Sequence, residues 1–418
     1  MTRDTPQHEP VEAIVDGFTH GGEGVVRVAG KAVFVPGTIP GERVRLRIVD
    51  DRKRWARGEL LEVLEPSPDR VPPPCPYVPD CGGCDLQHVA PAAQRALKTR
   101  VVREQLERLG GLTDPPVRAC QGIGPDRGYR THAQLHADPE GRLGFHRAGT
   151  HEVVPISRCL VLTDAAQAVR DAVGDATGAV EATIRAHAAT GTAAVELTPG
   201  PGPLAPPDGA FDLVLSQPDG RVAPLRGDGT LTEVVAGRTY TFDVTTFFQV
   251  TTHGAETLVT AVLAAAGDVS GALVWDLYAG VGLLSLPLAA AGAEVVAVEG
   301  HRRAVEHARA NAAAHDLPVQ VIADDVAAFT ADAAAGEGDV ALPDVVVLDP
   351  PRSGAGREVV GDLLALAPAT IVYVACDVAA LARDTRTLTE GGYRLTDARP
   401  LDLFPMTHHV EVVATFAR

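Results

Sequence analysis

From about residue 240 onward, short runs rich in Val, Ile and Leu alternate with stretches of helical character, and this alternation limits the fold more than any other feature. "ALVWDLYAG", "AEVVAVEG", "VQVIADD", "DVVVLDPP" and "TIVYVACD" read as strands. "LLSLPLAAAG" and "HRRAVEHARANAAAH" read as helices between them. Apolar strands separated by helices bury both faces of a sheet, which predicts an α/β domain with a mostly parallel, doubly wound sheet. The closing "HVEVVATFAR" adds one more strand.

At 418 residues the chain exceeds one ordinary domain. Residues 8–67 behave differently from the rest. "EAIVDGF", "EGVVRVAG", "KAVFVPG", "ERVRLRIVDD" and "RGELLEVLEP" alternate apolar and polar residues between turn signals, which predicts a small antiparallel barrel. The proline-rich "PSPDRVPPPCPYVPD" marks a boundary. A helix is expected over 91–111, with Pro at its start and two glycines at its end. Residues 113–225 mix short strands and turns.

The composition, 45% hydrophobic and 22% charged, is that of a globular protein. An apolar run of 18 residues is lacking, so no membrane span is expected. "MTRDTPQHEPVE" has no apolar signal core, which makes a cytoplasmic location the expectation. The net charge of −17 argues against a nucleic-acid partner only on average, because a local patch can escape the mean. Arg43, Arg45 and Arg47 share one strand face, and Arg52, Lys53, Arg54 and Arg57 follow. The run reads either as a solvated face or as a phosphate-contacting patch.

"VWDLYAGVGLL" places Asp276, Gly280 and Gly282 at a strand-to-helix turn, where backbone N–H groups can meet a ligand. Glu299 ends the next strand and can accept both hydroxyls of a ribose. A dinucleotide fingerprint would carry a third glycine. Its lack, with the leading Asp276, favours S-adenosylmethionine over NAD or an empty turn. Asp325, or its neighbour Asp324, closes the third strand and can receive an adenine amino group. "LDPPR" puts Asp349 at the end of the fourth, and "YVACD" puts Cys376 at the end of the fifth. Glu411 opens the last strand, 35 residues after Cys376. A thiolate and a carboxylate at one sheet edge suit methylation at C5 of a pyrimidine. That carbon becomes nucleophilic once a thiolate adds at C6, and a base must then remove its proton.

The remaining cluster, Cys75-x5-Cys81-x2-Cys84, sits among only six cysteines. A disulfide does not suit a reducing compartment, and a Cys-x2-Cys redox pair leaves Cys75 unused. Zinc and a cubane iron–sulfur cluster both stay open.

With these motifs in place, the chain resembles the RNA uracil-5-methyltransferases that make 5-methyluridine. The likeness runs from the barrel through the Cys-x5-Cys-Gly-Gly-Cys run, "FFQV", "DLYAGVG", "LDPPR" and the "AC" before Asp377 to "FPMTHHVE". The resemblance implies a TRAM barrel of OB-like type over 8–67 that binds RNA. It implies a central α+β iron–sulfur domain over 68–240, and a Rossmann-like class I methyltransferase domain over 241–418 on which helix 91–111 packs. It makes Cys376 the nucleophile and Glu411 the base, with Gln249, Tyr278, Gly280, Gly282, Glu299, Asp325 and Asp349 lining the cofactor and uracil site. Phe247 and Phe248 serve either as core or as base-stacking rings. It assigns Cys75, Cys81, Cys84 and Cys159 to a [4Fe–4S] cluster that is structural, Gly82-Gly83 letting the loop bend around it. Cys120 is left to the core and His88 as an alternative ligand. The implied partner is RNA, 23S ribosomal RNA rather than transfer RNA, and the implied state is a monomer. Three positions depart from the family pattern: Leu283 replaces Asn, Asp377-Val378 replaces Asn-Pro, and Thr251 replaces Asn.

Overall fold

In a computed structural model the protein is described over residues 9–78, 80–175, 178–217, 221–337 and 340–418. The charged N-terminal stretch and the expected first barrel residue, His8, lie outside these residues. Strands Val11–Phe18, Glu23–Val28, Lys31–Pro36, Arg43–Asp51 and Trp55–Glu65 close into a barrel. Alternation points Val26, Val33, Val35, Val44 and Leu46 into its centre, each at most 0% exposed.

The catalytic half is built on eight strands. Reading across the sheet, they are Val319–Ala323, Glu294–Glu299, Leu273–Leu277, Val345–Leu348, Thr370–Ala375, Glu411–Ala417, Arg394–Asp402 and Gln121–Gly122. The first five run parallel, and Glu411–Ala417 runs antiparallel to its neighbour. Strand order therefore reverses between Leu273–Leu277 and Val345–Leu348, the crevice where open α/β sheets bind ligands. Val345, Val346, Val347 and Leu348 are all buried, as a strand covered by helices on both faces requires. Trp275 is fully buried edge-on to Phe329, with ring centroids 4.8 Å apart. Burial of a side chain that size contributes roughly 2–3 kcal/mol.

A seven-stranded sheet is formed by the chain between the barrel and the C-terminal sheet in sequence. Its order is Val222–Arg226, Asp212–Ser216, Thr192–Pro199, Ala179–His187, His132–Ala137, Leu143–His146 and Val153–Pro155, with helix Asp164–Val173 on Ala179–His187. Helix Pro91–Arg108 starts at Pro91 as the sequence predicts and ends three residues before the expected end at 111, ahead of the double glycine. It packs on helix Val378–Glu390 and strand Arg394–Asp402 of the catalytic half.

Candidate active site

Parallel pairing aligns the carboxyl ends of the strands, so the residues just beyond them share one edge. Leu277 pairs with both Val298 and Leu348, and Leu348 with Tyr373. Tyr278, Glu299 and Asp349 consequently emerge side by side. The turn after Leu277 is left-handed at three places: Tyr278 at φ 63°, Gly280 at 57° and Gly282 at 92°. Tyr278 tolerates a conformation that costs a bulky L-residue free energy, of a kind that clusters at binding sites. A Cβ on Gly280 would meet nothing within 4 Å, so the loop opens onto free space there, whereas one on Gly282 would lie 2.7 Å from Leu286.

Glu299 anchors this turn. Its carboxylate accepts from Gly280 N at 2.9 Å and from His301 N at 2.7 Å. Behind the turn Asp276 accepts from the Ser285 hydroxyl, while its Oδ1 is buried without a partner. Burial, offset in part by Ser285, pushes the Asp276 carboxyl up to about 7. Buried Asn311 donates to Val281 O at 3.0 Å and Thr241 O at 3.1 Å. The sequence reading missed it, and its one signal was a lone Asn amid the alanines of helix Arg302–Ala314.

The antiparallel ladder settles the second half of the site. Ala375 pairs with Val412, so the next rung sets Cys376 opposite Glu411. Residues facing each other on a rung have Cβ atoms about 4.5–5.5 Å apart. Two motifs far apart in sequence thus meet through strand register. Cys376 is half-buried, and Glu411 is buried with its Oε1 unpartnered. Burial pushes the Cys376 thiol up to about 11, with the charges of Glu411 and Asp349 adding and Arg352 opposing. Burial, then Asp349, raises the Glu411 carboxyl well above the usual range, and Asp349 is raised to about 7 by burial and then Asp276. The result is a desolvated edge where a thiol and three carboxyls sense one another, and Arg352 is the cation that faces the thiol.

Other candidates find more specific places. The two phenylalanines separate: Phe248 stacks on Phe242 at 4.4 Å in the core, while Phe247 is 67% exposed beside buried Gln249. Asp325 caps helix Val326–Ala334, accepting from Ala327 N at 3.0 Å and Ala328 N at 3.1 Å, and Tyr278 senses its charge. The three departures are absorbed locally. Leu283 joins the core and its carbonyl accepts from Tyr240 Oη at 3.2 Å. Asp377 caps helix Val378–Glu390 through Ala380 N at 2.7 Å. Thr251 is buried at the start of helix Thr252–Ala266.

Cys75, Cys81, Cys84 and Cys159 line one cavity of about 120 Å³, walled by Tyr77, Phe145, Ile156 and Leu162 with Arg130 and Arg158 at its margin. Among the described residues no three His, Cys, Asp or Glu side chains are arranged to hold a single metal ion. Cys120 is buried elsewhere, in the catalytic core. His88 does not line the cavity, and its charge environment is set by Arg70 and Glu42. Gly82 and Gly83 adopt no left-handed turn. Gly82 is needed because a Cβ there would lie 2.8 Å from His146 O, where the hairpin Leu143–Pro155 crosses the loop.

The barrel arginines differ from a free cationic patch. Register sets Arg43, Arg45 and Arg47 opposite Glu65, Glu62 and Glu59, and each forms an ion pair across the strands. Arg52 pairs with Asp50 and Arg57 with Glu23. Among the described residues Lys53 and Arg54, exposed in the turn before Trp55, carry no ion pair.

The fold and this edge define a class I methyltransferase domain behind a small β-barrel. Residues 230–418 match the family model for tRNA (uracil-5-)-methyltransferase, and residues 9–61 match the TRAM domain. An uncharacterized RNA methyltransferase of Streptomyces coelicolor is 40% identical over 97% of this chain and 92% of its own length. One from Gloeobacter violaceus is 33% identical over 99% and 97%. The Pyrococcus abyssi tRNA (uracil-54, C5)-methyltransferase, solved with S-adenosyl-L-homocysteine, shares the fold with a TM-score of 0.77. It is 23% identical, and the match covers 97% of this chain and 99% of that one. The chain belongs to the S-adenosylmethionine-dependent RNA uracil-5-methyltransferase family. Among the described residues no helix is long and apolar enough to cross a membrane.

Proposed function

We propose that the enzyme forms 5-methyluridine by covalent catalysis through Cys376 and Glu411, on a uridine of 23S ribosomal RNA. The observation that carries the mechanism is the Ala375–Val412 pair, whose register leads Cys376 toward Glu411, together with the Glu411 charge acting on the thiol. S-adenosylmethionine, consumed as co-substrate, supplies the methyl group. Open space before Gly280, the acidic strand end at Glu299 and the cap at Asp325 suit its ribose and adenine, Tyr278 follows the same strand end, and Gln249 is assigned to the site by the family resemblance. Cys376, its thiol proton given up to solvent, bonds through Sγ to uracil C6, and the displaced π electrons make C5 nucleophilic. C5 takes the methyl group as the sulfonium S–CH3 bond breaks and S-adenosylhomocysteine leaves, and Glu411 then removes the C5 proton. The C5–H electrons re-form the C5=C6 bond, and the C6–S bond breaks with its pair returning to sulfur. The target base must leave its stack to reach Cys376, and Phe247, 67% exposed, is the ring this reading assigns to stack on it.

The four cysteines fit a [4Fe–4S] cluster. Their cavity holds about 120 Å³, while one atom-sized guest needs only about 10–15 Å³. Gly83 N–H points at Cys81 Sγ at 3.4 Å, and the Val161 and Leu162 amides act on Cys159, the donors that cluster sulfurs accept from. The Arg130 charge favours a thiolate at Cys159, and Arg158 lines the same cavity. A cluster here would tie the 75–84 loop to the segment around Cys159, and no step of the methyl transfer needs an electron from it. Purified without oxygen, the protein is expected to be brown with broad visible absorption and stoichiometric iron, and Cys159→Ser to be bleached. A colourless protein holding stoichiometric zinc would refute the cluster.

On the barrel, unpaired Lys53 and Arg54 replace the strand-face arginines as the phosphate contact this reading needs. The combination of barrel and cysteine cavity supports a ribosomal target. Transfer RNA is the second reading, favoured by the full-length likeness to a tRNA enzyme. Mapping 5-methyluridine in 23S and transfer RNA from cells with and without the gene tests both. Loss of a single 23S position is expected, and loss confined to transfer RNA would overturn the ribosomal assignment.

A further inference from the structure

Glu411 Oε1 is buried without a hydrogen bond, so the side chain is aimed only by its backbone: the first rung of its strand, where Glu411 pairs with Leu401, and the loop of residues 403–410 that leads into it. That loop is held by a segment about three hundred residues upstream. Apart from bonds from Thr407 to Phe404 O, every hydrogen bond of residues 404–408 among those described ends on the segment 85–129. Asp85 N and Leu86 N donate to Met406 O at 3.1 and 3.0 Å, and Gln94 Oε1 accepts from Met406 N at 2.8 Å. Lys98 Nζ donates to Phe404 O at 3.1 Å, and Tyr129 Oη to Pro405 O at 2.9 Å. Met406 sits at φ 68°, a left-handed conformation that persists only where surroundings over-determine it.

The contact nearest the base is the Asp85–His408 couple. Asp85 Oδ1 accepts from His408 N at 2.8 Å, and its other oxygen meets His408 Nδ1. The barrel turn closes over the pair: a Cβ on Gly22 would lie 2.9 Å from His408 Cβ and 3.0 Å from Asp85 Oδ2. Two bonds from one carboxylate fix both the backbone and the ring of His408, three residues before Glu411. Asp85 also follows Cys84 directly in sequence, so the loop that carries three of the cysteines and the loop that carries the base are joined at this point.

We propose that Asp85 and His408 are positioning residues for proton removal, holding the 403–410 loop so that Glu411 meets the C5 proton of the methylated adduct. The inference rests on the reading of Glu411 as the base. A displacement near 1 Å can cost on the order of 10²-fold in rate, and the carboxylate has no second contact to restore its aim. Among the described residues no hydrogen bond or ion pair joins the couple to the cofactor turn or to Cys376, so addition to C6 and binding of the methyl donor are expected to be spared.

The test uses RNA tritiated at uracil C5, with tritium release reporting proton removal and a denaturing gel reporting the covalent protein–RNA adduct. His408→Ala and Asp85→Ala are expected to slow tritium release about 10- to 100-fold and to accumulate adduct, with S-adenosylmethionine affinity unchanged. His408→Asn, whose amide can donate to Asp85 in place of Nδ1, is expected to recover most of the release rate. A purely structural defect would lower adduct and release together, and that result overturns the proposal, as does wild-type release in either alanine variant. Failure of His408→Asn to exceed His408→Ala overturns it as well. Glu411→Gln run alongside separates the two levels: if it traps no adduct the assignment of the base fails, and if it alone traps adduct only the positioning role fails.

Discussion

Cys376→Ala is expected to lower 5-methyluridine formation on the order of 10⁴-fold or more while S-adenosylmethionine binding changes less than about twofold. The separation follows from the strand geometry. The cofactor turn is built after strand Leu273–Leu277 and anchored by Glu299, whereas Cys376 stands two strands away beyond Ala375. Removing Sγ leaves C5 of uracil without the electron density that attack at C6 supplies, and the other five cysteines lie elsewhere, four lining the cavity and Cys120 in the core. Methylation assays with an isothermal cofactor titration check both halves, and undiminished RNA methylation by the variant would sink the covalent mechanism. The same thiol has a pH signature. Because burial, Glu411 and Asp349 hold its proton up to about 11, thiolate is scarce at neutral pH and grows as pH rises. Alkylation of Cys376 by iodoacetamide is therefore expected to speed up through the alkaline range. Glu411→Gln removes a negative neighbour, favours the thiolate and moves that rise to lower pH. Arg352→Ala removes the opposing cation and moves it to higher pH.

The strands and their chemistry were legible because they are local. Val-rich runs ending in Asp276, Glu299, Asp349 and Cys376 declare both a buried parallel strand and the residue that follows it, and parallel pairing then lines those ends up without further information. The barrel was legible for the same reason, its alternation being a two-residue signal. What the sequence hid depends on register and long-range packing. The arginines at 43, 45 and 47 read as a patch because the strand that neutralises them lies some fifteen residues on, and only the antiparallel rung sets Glu65, Glu62 and Glu59 opposite. Asp85 and His408 are separated by more than three hundred residues, and neither stands out by type or spacing. Phe247 and Phe248 are identical in sequence terms and opposite in exposure, a difference fixed by the packing of Phe248 on Phe242. Asp325 was legible as an acid at a strand end, but its work as a helix cap is a backbone matter.

Glu411→Gln is expected to trap a covalent protein–RNA adduct and to slow turnover by about 10²- to 10⁴-fold, the contribution of a positioned base. Glutamine keeps the volume of the buried side chain and cannot take up a proton, so addition at C6 and methyl transfer proceed while elimination stalls. The environment makes this carboxylate suited to the step. Burial and the neighbouring Asp349 raise its proton affinity well above that of a solvated glutamate, which brings its basicity closer to what removal of a carbon-bound proton demands. The same shift has a cost at low pH. As pH falls the carboxylate is protonated earlier than an ordinary glutamate, so the parent enzyme is expected to lose turnover and to accumulate adduct on mild acidification. In Glu411→Gln that acid-driven rise should be absent, leaving only the decline in addition as the Cys376 thiolate becomes scarcer. Denaturing gels of labelled RNA across pH, parent against variant, read it directly. An acid-independent parent, or a variant that forms no adduct at any pH, would remove Glu411 from the proton-transfer step and leave the rung opposite Cys376 without its chemistry.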